Sequence, residues 1–244
     1  MRAKRALDLA LGIPALIVAA PVLAILALAM RLGGDRGPFL HRAIRNGEDG
    51  RPFTLLKIRT MTVGEGSRLT GPDDHRITRL GRPIRRLRLD ELPQLVNVLR
   101  GEMSLVGPRP EDPAYVDFAN PLHQRVFRAR PGITGLAQLE FHDEAALLGG
   151  ADPERTYREV ILPAKLRIDA DYLDRQSVRL DLAIMLRTAG AVVGRDGAST
   201  AAERAVGASG GTAGGAAQPS DGLGGGGPAG PSGAGVEDAS TVEG

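Results

Sequence analysis

The sequence has no cysteine and no tryptophan, and only 3% of its 244 residues are aromatic. Without cysteine the protein has no disulfide and no thiol nucleophile, which is consistent with a cytosol-facing domain. The scarcity of aromatic residues argues against a binder of single-stranded nucleic acid, because such proteins stack bases on aromatic rings. Histidine is scarce too, and its four copies show no paired ligand spacing, so we expect no zinc site.

Large apolar residues are almost missing from the last 50 residues. Residues 195–244 hold 15 of the 33 glycines, together with many Ala and Ser. Such a composition buries too little apolar surface to offset the entropy of ordering the chain, so we predict a disordered Gly/Ala-rich tail. Residues 1–194 carry 29 basic and 23 acidic side chains. This basic balance favours phosphates, nucleic acid or anionic lipid as partners without choosing among them.

One long apolar run lies near the N-terminus. Between residues 7 and 32 the only charged side chains are Asp8 and Arg31, and the uncharged stretch 9–30 is long enough to cross a bilayer. The alternatives are a cleaved signal peptide and a buried soluble helix. The run is long for a signal peptide and shows no convincing cleavage site before Arg31. We therefore interpret it as a membrane helix.

Two features of this run argue against a simple span. Pro14 and Pro21 each remove a backbone donor, and Pro21 lies near the midpoint. Basic residues flank both ends, so the positive-inside rule gives no preferred orientation. These residues are Arg2, Lys4, Arg5, Arg31, Arg36, Arg42 and Arg45. We predict a re-entrant helix over residues 1–36 that bends at Pro21 and returns both ends to the cytoplasm.

Residues 37–194 are expected to form a small, helix-rich α/β (α+β) catalytic domain. Apolar spacing and turn residues predict a hairpin over 39–58, a helix over 77–90, a helix from Pro93 to Gly101, a strand over 104–106, and helices over 121–128, 153–175 and 179–193. The segment 131–135 is expected to be irregular. On this reading Asp90 and Glu91 lie at the N-terminal end of the helix that begins at Pro93.

Three charged clusters occupy residues 57–61, 74–78 and 85–91. The simplest explanation of a charge run is a solvated surface, and acidic residues at a helix start also complement the helix dipole. Beside a membrane segment, however, an acidic pair close to several arginines suits phosphate transfer. In that chemistry arginines hold phosphate oxygens, while a carboxylate attacks phosphorus or binds Mg²⁺.

The motifs in and around these clusters follow one order along residues 2–193. They are Lys4-Arg5-Ala-Leu-Asp8, Lys57-Ile-Arg59-Thr60-Met61, Arg76-Ile-Thr78, Leu89-Asp90-Glu91-Leu92-Pro93-Gln94-Leu95, Met103-Ser-Leu-Val-Gly107-Pro108-Arg109-Pro110 and Arg130-Pro-Gly132-Ile-Thr134-Gly135. In content and order they resemble the bacterial sugar transferase family of polyprenyl-phosphate phosphoglycosyl transferases.

The resemblance implies a monotopic enzyme on the cytoplasmic face of the plasma (inner) membrane. By that analogy Asp90 is the nucleophile that attacks the β-phosphate of a UDP-sugar and releases UMP. The phosphosugar then stays on the enzyme until polyprenyl (undecaprenyl) phosphate accepts it, which begins the synthesis of a surface glycan such as exopolysaccharide, O-antigen or a glycoconjugate. A lipid membrane is therefore an expected partner and nucleic acid is not.

The same resemblance assigns roles to individual residues. Asp90 and Glu91 are the expected catalytic residues and Mg²⁺ ligands, with Glu91 binding metal or assisting the acceptor. Arg85 and Arg109 match family positions that contact substrate phosphates. Lys57, Arg59 and Arg76 are candidate substrate-binding residues on motif position alone.

The sequence departs from the family pattern in places. Ala20 precedes Pro21 where many relatives have Ser, and Glu102 replaces the usual Asp. After Gln138 the common Gly-Arg-Asn is missing, and the segment 139–144 stands there instead. We expect this variant segment to shape the sugar or acceptor pocket.

Two other functions compete with catalysis. A membrane-tethered nucleic-acid binder would use the same positive charge, but the acidic pair would repel phosphates and stacking residues are scarce. A catalytically inactive, membrane-tethered scaffold of a glycan-assembly complex is the other alternative. The intact pair of Asp90 and Glu91 speaks against it.

Overall fold

The computed structural model describes residues 2–34, 37–62, 69–71, 74–142, 144–148 and 152–192. The elements are α1 (Arg2–Leu32), β1 (Leu40–Asn46), β2 (Pro52–Ile58), α2 (Gly81–Arg86), α3 (Gln94–Arg100), β3 (Ser104–Val106), α4 (Pro121–Phe127), β4 (Gly132–Thr134), α5 (Leu136–Glu140), α6 (Glu144–Leu147), α7 (Pro153–Thr156), α8 (Leu162–Arg175) and α9 (Val178–Val192). This is a helix-rich α/β architecture, as expected. The predicted disordered tail, residues 195–244, lies outside the described residues.

Helix α1 is long and apolar enough to cross a membrane, and Pro14 and Pro21 both lie inside it. Much of its surface faces away from the rest of the protein. Its exposed large apolar side chains are Leu11, Ile13, Ile17, Val18, Ile25, Leu28 and Leu32. Such a surface is stable in lipid and costly in water.

The first turns of α1 dock on the soluble domain through polar contacts. Arg5 donates to the carbonyl oxygens of Val98, at 2.6 Å, and Leu99, at 2.9 Å. These carbonyls lie at the C-terminal end of α3, where a cation complements the helix dipole. Gly12 lies about two turns further along α1 and is buried against Val98 and Leu99.

A second polar contact fixes α1 to β3. Asp8 is only 2% exposed, and its Oδ1 accepts hydrogen bonds from Ser104 Oγ at 2.9 Å and from Leu105 N at 3.0 Å. Lys4 adds an ion pair to Asp181 of α9, with 2.7 Å between Nζ and Oδ2. The N-terminal end of α1 is thus joined to three elements of the domain.

The C-terminal end of α1 contacts the same domain through apolar packing. Met30 is buried with Ile58 of β2 and Ile84 of α2, and Leu23 and Leu26 pack against this cluster. Both ends of α1 are therefore attached to one soluble domain.

Strands β1 and β2 form the predicted hairpin. They pair antiparallel from Leu40 with Ile58 to Asn46 with Pro52. The chain reverses through Asp49 and Gly50, which both have positive φ. Asparagine, aspartate and glycine favour such turns. The pairing of β1 with β2 confirms the predicted hairpin.

The helix predicted over residues 77–90 is shorter than expected, because α2 covers only Gly81–Arg86. Before it, the backbone N–H of Thr78 donates to the carbonyl of Thr60, which holds residues 77–78 extended. After it, Arg88 adopts a left-handed conformation with φ of 52°. Neighbouring backbone pairing and this turn limit the helix at both ends.

Helix α3 begins after Pro93 and ends at Gly101, whose φ is +83°, as the sequence predicts. The expectation of an irregular segment at 131–135 is wrong, because residues 132–134 form β4, which pairs parallel with β3. A Cβ on Gly132 would lie 2.1 Å from the Gly107 nitrogen. Gly107 and Gly132 therefore allow the backbones of their two segments to pack in contact. The local sequence around each glycine does not reveal this contact.

The C-terminal helices follow the prediction closely. Helices α7 and α8 are joined by a π-helical turn over Tyr157–Ile161, and α9 follows after a short break. The π-helical turn and α8 contribute Tyr157, Ile161 and Leu166 to the largest core cluster of the described residues. The same cluster holds Val126 and Phe127 of α4, together with Tyr115 and Phe141.

Candidate active site

The acidic pair lies in a short 3₁₀ turn, Leu89–Glu91, between the left-handed Arg88 and the start of α3. A non-glycine residue with positive φ is uncommon and turns the chain sharply. Here it places Asp90 partly exposed and Glu91 buried, at 9% exposure. The two neighbouring carboxylates thus have different surroundings.

Two open pockets, of about 760 and 740 Å³, meet at this turn. Both are lined by Lys57, Arg85, Asp90 and Arg109. Arg59 and Arg76 line the first pocket and Glu91 lines the second. The structure therefore brings all seven residues that the sequence singles out to one connected surface.

Glu91 is held by two cations. Lys57 Nζ lies 3.4 Å and Arg109 Nη1 lies 3.5 Å from the same oxygen, Oε1. Burial by itself raises the pKa of Glu91, but the charges of Lys57 and Arg109 outweigh it and lower the pKa to about 2. Glu91 is therefore a carboxylate that stays ionised and holds both cations beside the pocket.

Asp90 has a different environment. Among the described residues, its carboxylate makes no hydrogen bond and no ion pair within salt-bridge distance. Burial raises its pKa and the charge of Glu91 adds to this, while Lys57, Arg85 and Arg109 act in the opposite direction. The result is a carboxylate that faces the pocket with its oxygens available, near cations that favour its ionised form.

The five basic residues fall into two groups. Lys57 and Arg109 contact Glu91, and the guanidinium of Arg85 makes no hydrogen bond or ion pair within the part of the chain that the structure describes. Burial lowers the pKa of Lys57. Burial would also lower the pKa of Arg109, but the charge of Glu91 and of other carboxylates raises it on balance. These three cations can bind phosphate oxygens close to Asp90.

Arg59 and Arg76 line only the first of the two pockets and have neighbours of their own. Arg59 Nε donates to the carbonyl of Pro38 at 2.7 Å, which braces the end of β2. Arg76 forms a paired contact with Asp74, with Nη2 and Oδ2 2.6 Å apart. The hydrogen bonds from Arg76 lower the pKa of Asp74 to about 2. These two arginines shape the pocket wall as well as its charge.

A buried polar network behind Arg109 was not anticipated from the sequence. Lys165, only 3% exposed, pairs with Glu111 at 3.2 Å, and the Tyr157 hydroxyl donates to the other oxygen of Glu111 at 2.7 Å. Lys165 also pairs with Glu144 of α6 at 3.1 Å. The network links the segment that carries Arg109 to α8 and to the wall of the second pocket. A lysine on the apolar face of a predicted helix is the signal that points to it.

Asp169 is a further buried carboxyl of α8, and it is 4% exposed. Burial raises its pKa to about 7, although the nearby charge of Lys165 acts in the opposite direction. Its Oδ1 has no hydrogen-bond partner among the described residues. Burial therefore favours the protonated form of this group.

The acidic pair fits Mg²⁺ better than a metal that needs an all-protein site. Within the described residues no group of three or more His, Asp or Glu side chains is arranged to hold a metal ion. Mg²⁺ is commonly held by one or two carboxylates together with substrate phosphates. Asp90 offers free oxygens for this, whereas one oxygen of Glu91 is already engaged.

Comparison with known proteins gives consistent matches. Residues 1–195 match the family described as bacterial sugar transferase. The chain is 40% identical over 205 residues to a UDP-glucose:undecaprenyl-phosphate glucose-1-phosphate transferase of Caulobacter vibrioides, a match that covers 80% of this chain and 71% of that protein.

Two longer relatives match over a similar share of this chain. An undecaprenyl-phosphate glucose phosphotransferase of Komagataeibacter xylinus is 39% identical over 77% of this chain and 35% of its own length. A UDP-glucose:undecaprenyl-phosphate glucose-1-phosphate transferase of Escherichia coli is 35% identical over 76% of this chain and 39% of its own length. The matched part of this chain spans well under half the length of these two relatives.

Proposed function

The chain belongs to the bacterial sugar transferase family, and we propose that it transfers a phosphosugar from a UDP-sugar to a polyprenyl phosphate such as undecaprenyl phosphate. The observation that carries the proposal is the open carboxylate of Asp90 among Lys57, Arg85 and Arg109. Relatives at 35–40% identity are named for this class of transfer. An inactive scaffold would not need an available carboxylate within a cationic pocket.

In the first step, Lys57, Arg85 and Arg109 bind the diphosphate of the UDP-sugar and draw negative charge away from phosphorus. A carboxylate oxygen of Asp90 attacks the β-phosphorus, and the bond from that phosphorus to the bridging oxygen breaks. UMP leaves with the bonding electron pair. The phosphosugar is then joined to Asp90 as an acyl phosphate.

In the second step, a phosphate oxygen of the polyprenyl phosphate attacks the same phosphorus. The bond to Asp90 breaks, the carboxylate is regenerated, and the product is a polyprenyl diphosphate sugar. Glu91 supports both steps because its charge keeps Lys57 and Arg109 in place. Such a product begins the assembly of a surface glycan.

Mg²⁺ would be held by Asp90, by Glu91 and by the substrate diphosphate, and it would neutralise phosphate charge during transfer. Asp90 is the better-placed ligand, because Glu91 shares one oxygen with two cations. The arginines and Lys57 bind substrate phosphate through their own charges.

We also propose that the protein is monotopic, with its domain on the cytoplasmic face of the membrane. A straight helix of the length of α1 extends roughly 46 Å, at 1.5 Å per residue. A helix that crossed the bilayer would carry one end away from a domain on a single side. The contacts of Asp8 at one end and Met30 at the other support a helix that enters and returns on that side.

The test is turnover by the detergent-solubilised protein. Incubation with undecaprenyl phosphate and a panel of UDP-sugars should release UMP with at least one sugar and give a lipid-linked product. Asp90→Asn serves as the inactive control. If no UDP-sugar yields UMP while the protein remains folded, the proposed function is wrong.

A further inference from the structure

An exposed basic and apolar surface surrounds α2. Arg79, Arg82 and Arg86 are exposed, and so are Leu80, at 41%, and Leu87, at 48%. An exposed leucine is costly in water, and leucine beside arginine suits a molecule with an anionic head and an apolar chain. We call Arg82, Arg86, Leu80 and Leu87 the α2 surface.

The α2 surface adjoins the end of the membrane helix. A Cβ on Gly33, just after α1, would lie 3.5 Å from Leu80 Cδ1. On the buried side of α2, Ile84 packs against Met30 of α1. The C-terminal end of α1 therefore adjoins both α2 and the exposed Leu80.

The α2 surface also reaches the reacting carboxylate. Arg82 and Arg86 line the second pocket together with Asp90 and Glu91. Neither guanidinium makes a hydrogen bond or an ion pair within the described part of the chain, so both cations are available. They do not line the first pocket, where Arg59 and Arg76 lie.

We propose that the α2 surface binds the lipid acceptor, with Arg82 and Arg86 holding its phosphate and Leu80 and Leu87 contacting its polyprenyl chain. The inference rests on the proposed function and adds where the second substrate enters. A phosphate monoester carries close to two negative charges at neutral pH, which complements two unpaired arginines. The polyprenyl chain of the acceptor can stay in lipid beside α1 while its phosphate reaches Asp90.

This arrangement separates the two substrates. The donor diphosphate binds Lys57, Arg85 and Arg109 at the place where the pockets meet. The acceptor phosphate approaches from the second pocket, past Arg82 and Arg86. Loss of these two arginines should therefore weaken the second half-reaction and spare the first.

The experiment measures the two half-reactions separately in Arg82→Gln, Arg86→Gln and the double variant. With UDP-sugar alone, the amplitude and rate of the UMP burst should equal those of the wild type. In steady state, the KM for undecaprenyl phosphate should rise roughly ten- to a hundredfold for each arginine, the range expected when a charged hydrogen bond is lost. Arg128→Gln is the matched control, because Arg128 is exposed and lines neither pocket.

Several outcomes would overturn the inference. An unchanged KM for the acceptor, or a burst reduced as strongly as turnover, would show that the arginines do not serve the acceptor. A rise in KM that occurs in anionic vesicles but disappears in neutral detergent would assign the α2 surface to general lipid headgroups instead. Absence of UMP from the wild type would remove the proposed function and this inference together, whereas the other outcomes leave the function intact.

Discussion

Lys57 donates a hydrogen bond to Glu91, with 3.4 Å between Nζ and Oε1. Lys57 belongs to the hairpin and Glu91 to the turn before α3, so the contact joins two separate parts of the site. Because Glu91 takes up the positive charge of Lys57 and Arg109, its neighbour Asp90 keeps its oxygens available. Two adjacent carboxylates therefore have different surroundings.

The first prediction concerns the nucleophile. Asp90→Asn should lose both the UMP burst and turnover, by roughly a thousandfold or more, because an amide of nearly the same shape is a far weaker nucleophile. Glu91→Gln should lower turnover and retain part of the burst, since Asp90 is still present. Mass spectrometry of trapped wild-type enzyme should locate the phosphosugar on Asp90. An adduct on another residue, or substantial turnover by Asp90→Asn, would contradict the assignment.

The second prediction concerns the polar contact between α1 and the domain. Asp8→Ala should destabilise the protein by about 1–3 kcal/mol, because it leaves the buried donors of Ser104 and Leu105 without an acceptor. Arg2→Ala, on the exposed surface of the same helix, should change stability by at most about 0.5 kcal/mol. Thermal unfolding in detergent measures both. Equal stability of the two variants would show that Asp8 does not hold α1 to the domain.

The third prediction is topological. Since the protein has no cysteine, single cysteines at position 2 and at the exposed position 51 can be labelled without background. Both should react with a membrane-impermeant thiol reagent only from the cytoplasmic side, because both ends of α1 contact one domain. Labelling of position 2 only from the periplasmic side, with position 51 protected, would show that α1 spans the membrane.

The fourth prediction concerns pH and Asp169. Burial raises the pKa of this carboxyl to about 7, above its ordinary value of 3.8. A group with a raised folded-state pKa binds its proton more tightly in the folded state, so its contribution to stability is present at low pH and is lost as pH rises through about 7. The melting temperature should fall between pH 5 and pH 8 more steeply in the wild type than in Asp169→Asn. Parallel curves would show that Asp169 does not titrate in this range.

Much of the site could be predicted from the sequence because its signals are local. Pro93 and Gly101 mark the ends of α3, which fixes where the acidic pair lies relative to a helix. The turn at Asp49 and Gly50 predicts the hairpin that carries Lys57. Each signal acts within a few residues, where backbone preferences of proline, glycine and aspartate dominate.

The roles of the individual cations could not be predicted in this way. Lys57 and Arg59 belong to one motif, yet Lys57 contacts Glu91 while Arg59 donates to the carbonyl of Pro38. Residues two apart on a strand share a face, but β2 ends at Ile58, so Arg59 lies beyond the strand and its surroundings depend on the fold. Sequence spacing identifies the basic residues and leaves their partners open.

The sequence by itself determined the family, the order of most elements, the apolar character of α1 and the identity of the acidic pair, because these depend on composition, periodicity and short motifs. Only the tertiary structure decided that residues 132–134 form a strand, that Glu111 pairs with Lys165, and that Asp8 binds β3. These contacts join residues from 28 to 97 positions apart. Such pairing is decided by which surfaces the packed core brings together, and local backbone preference carries no information about it.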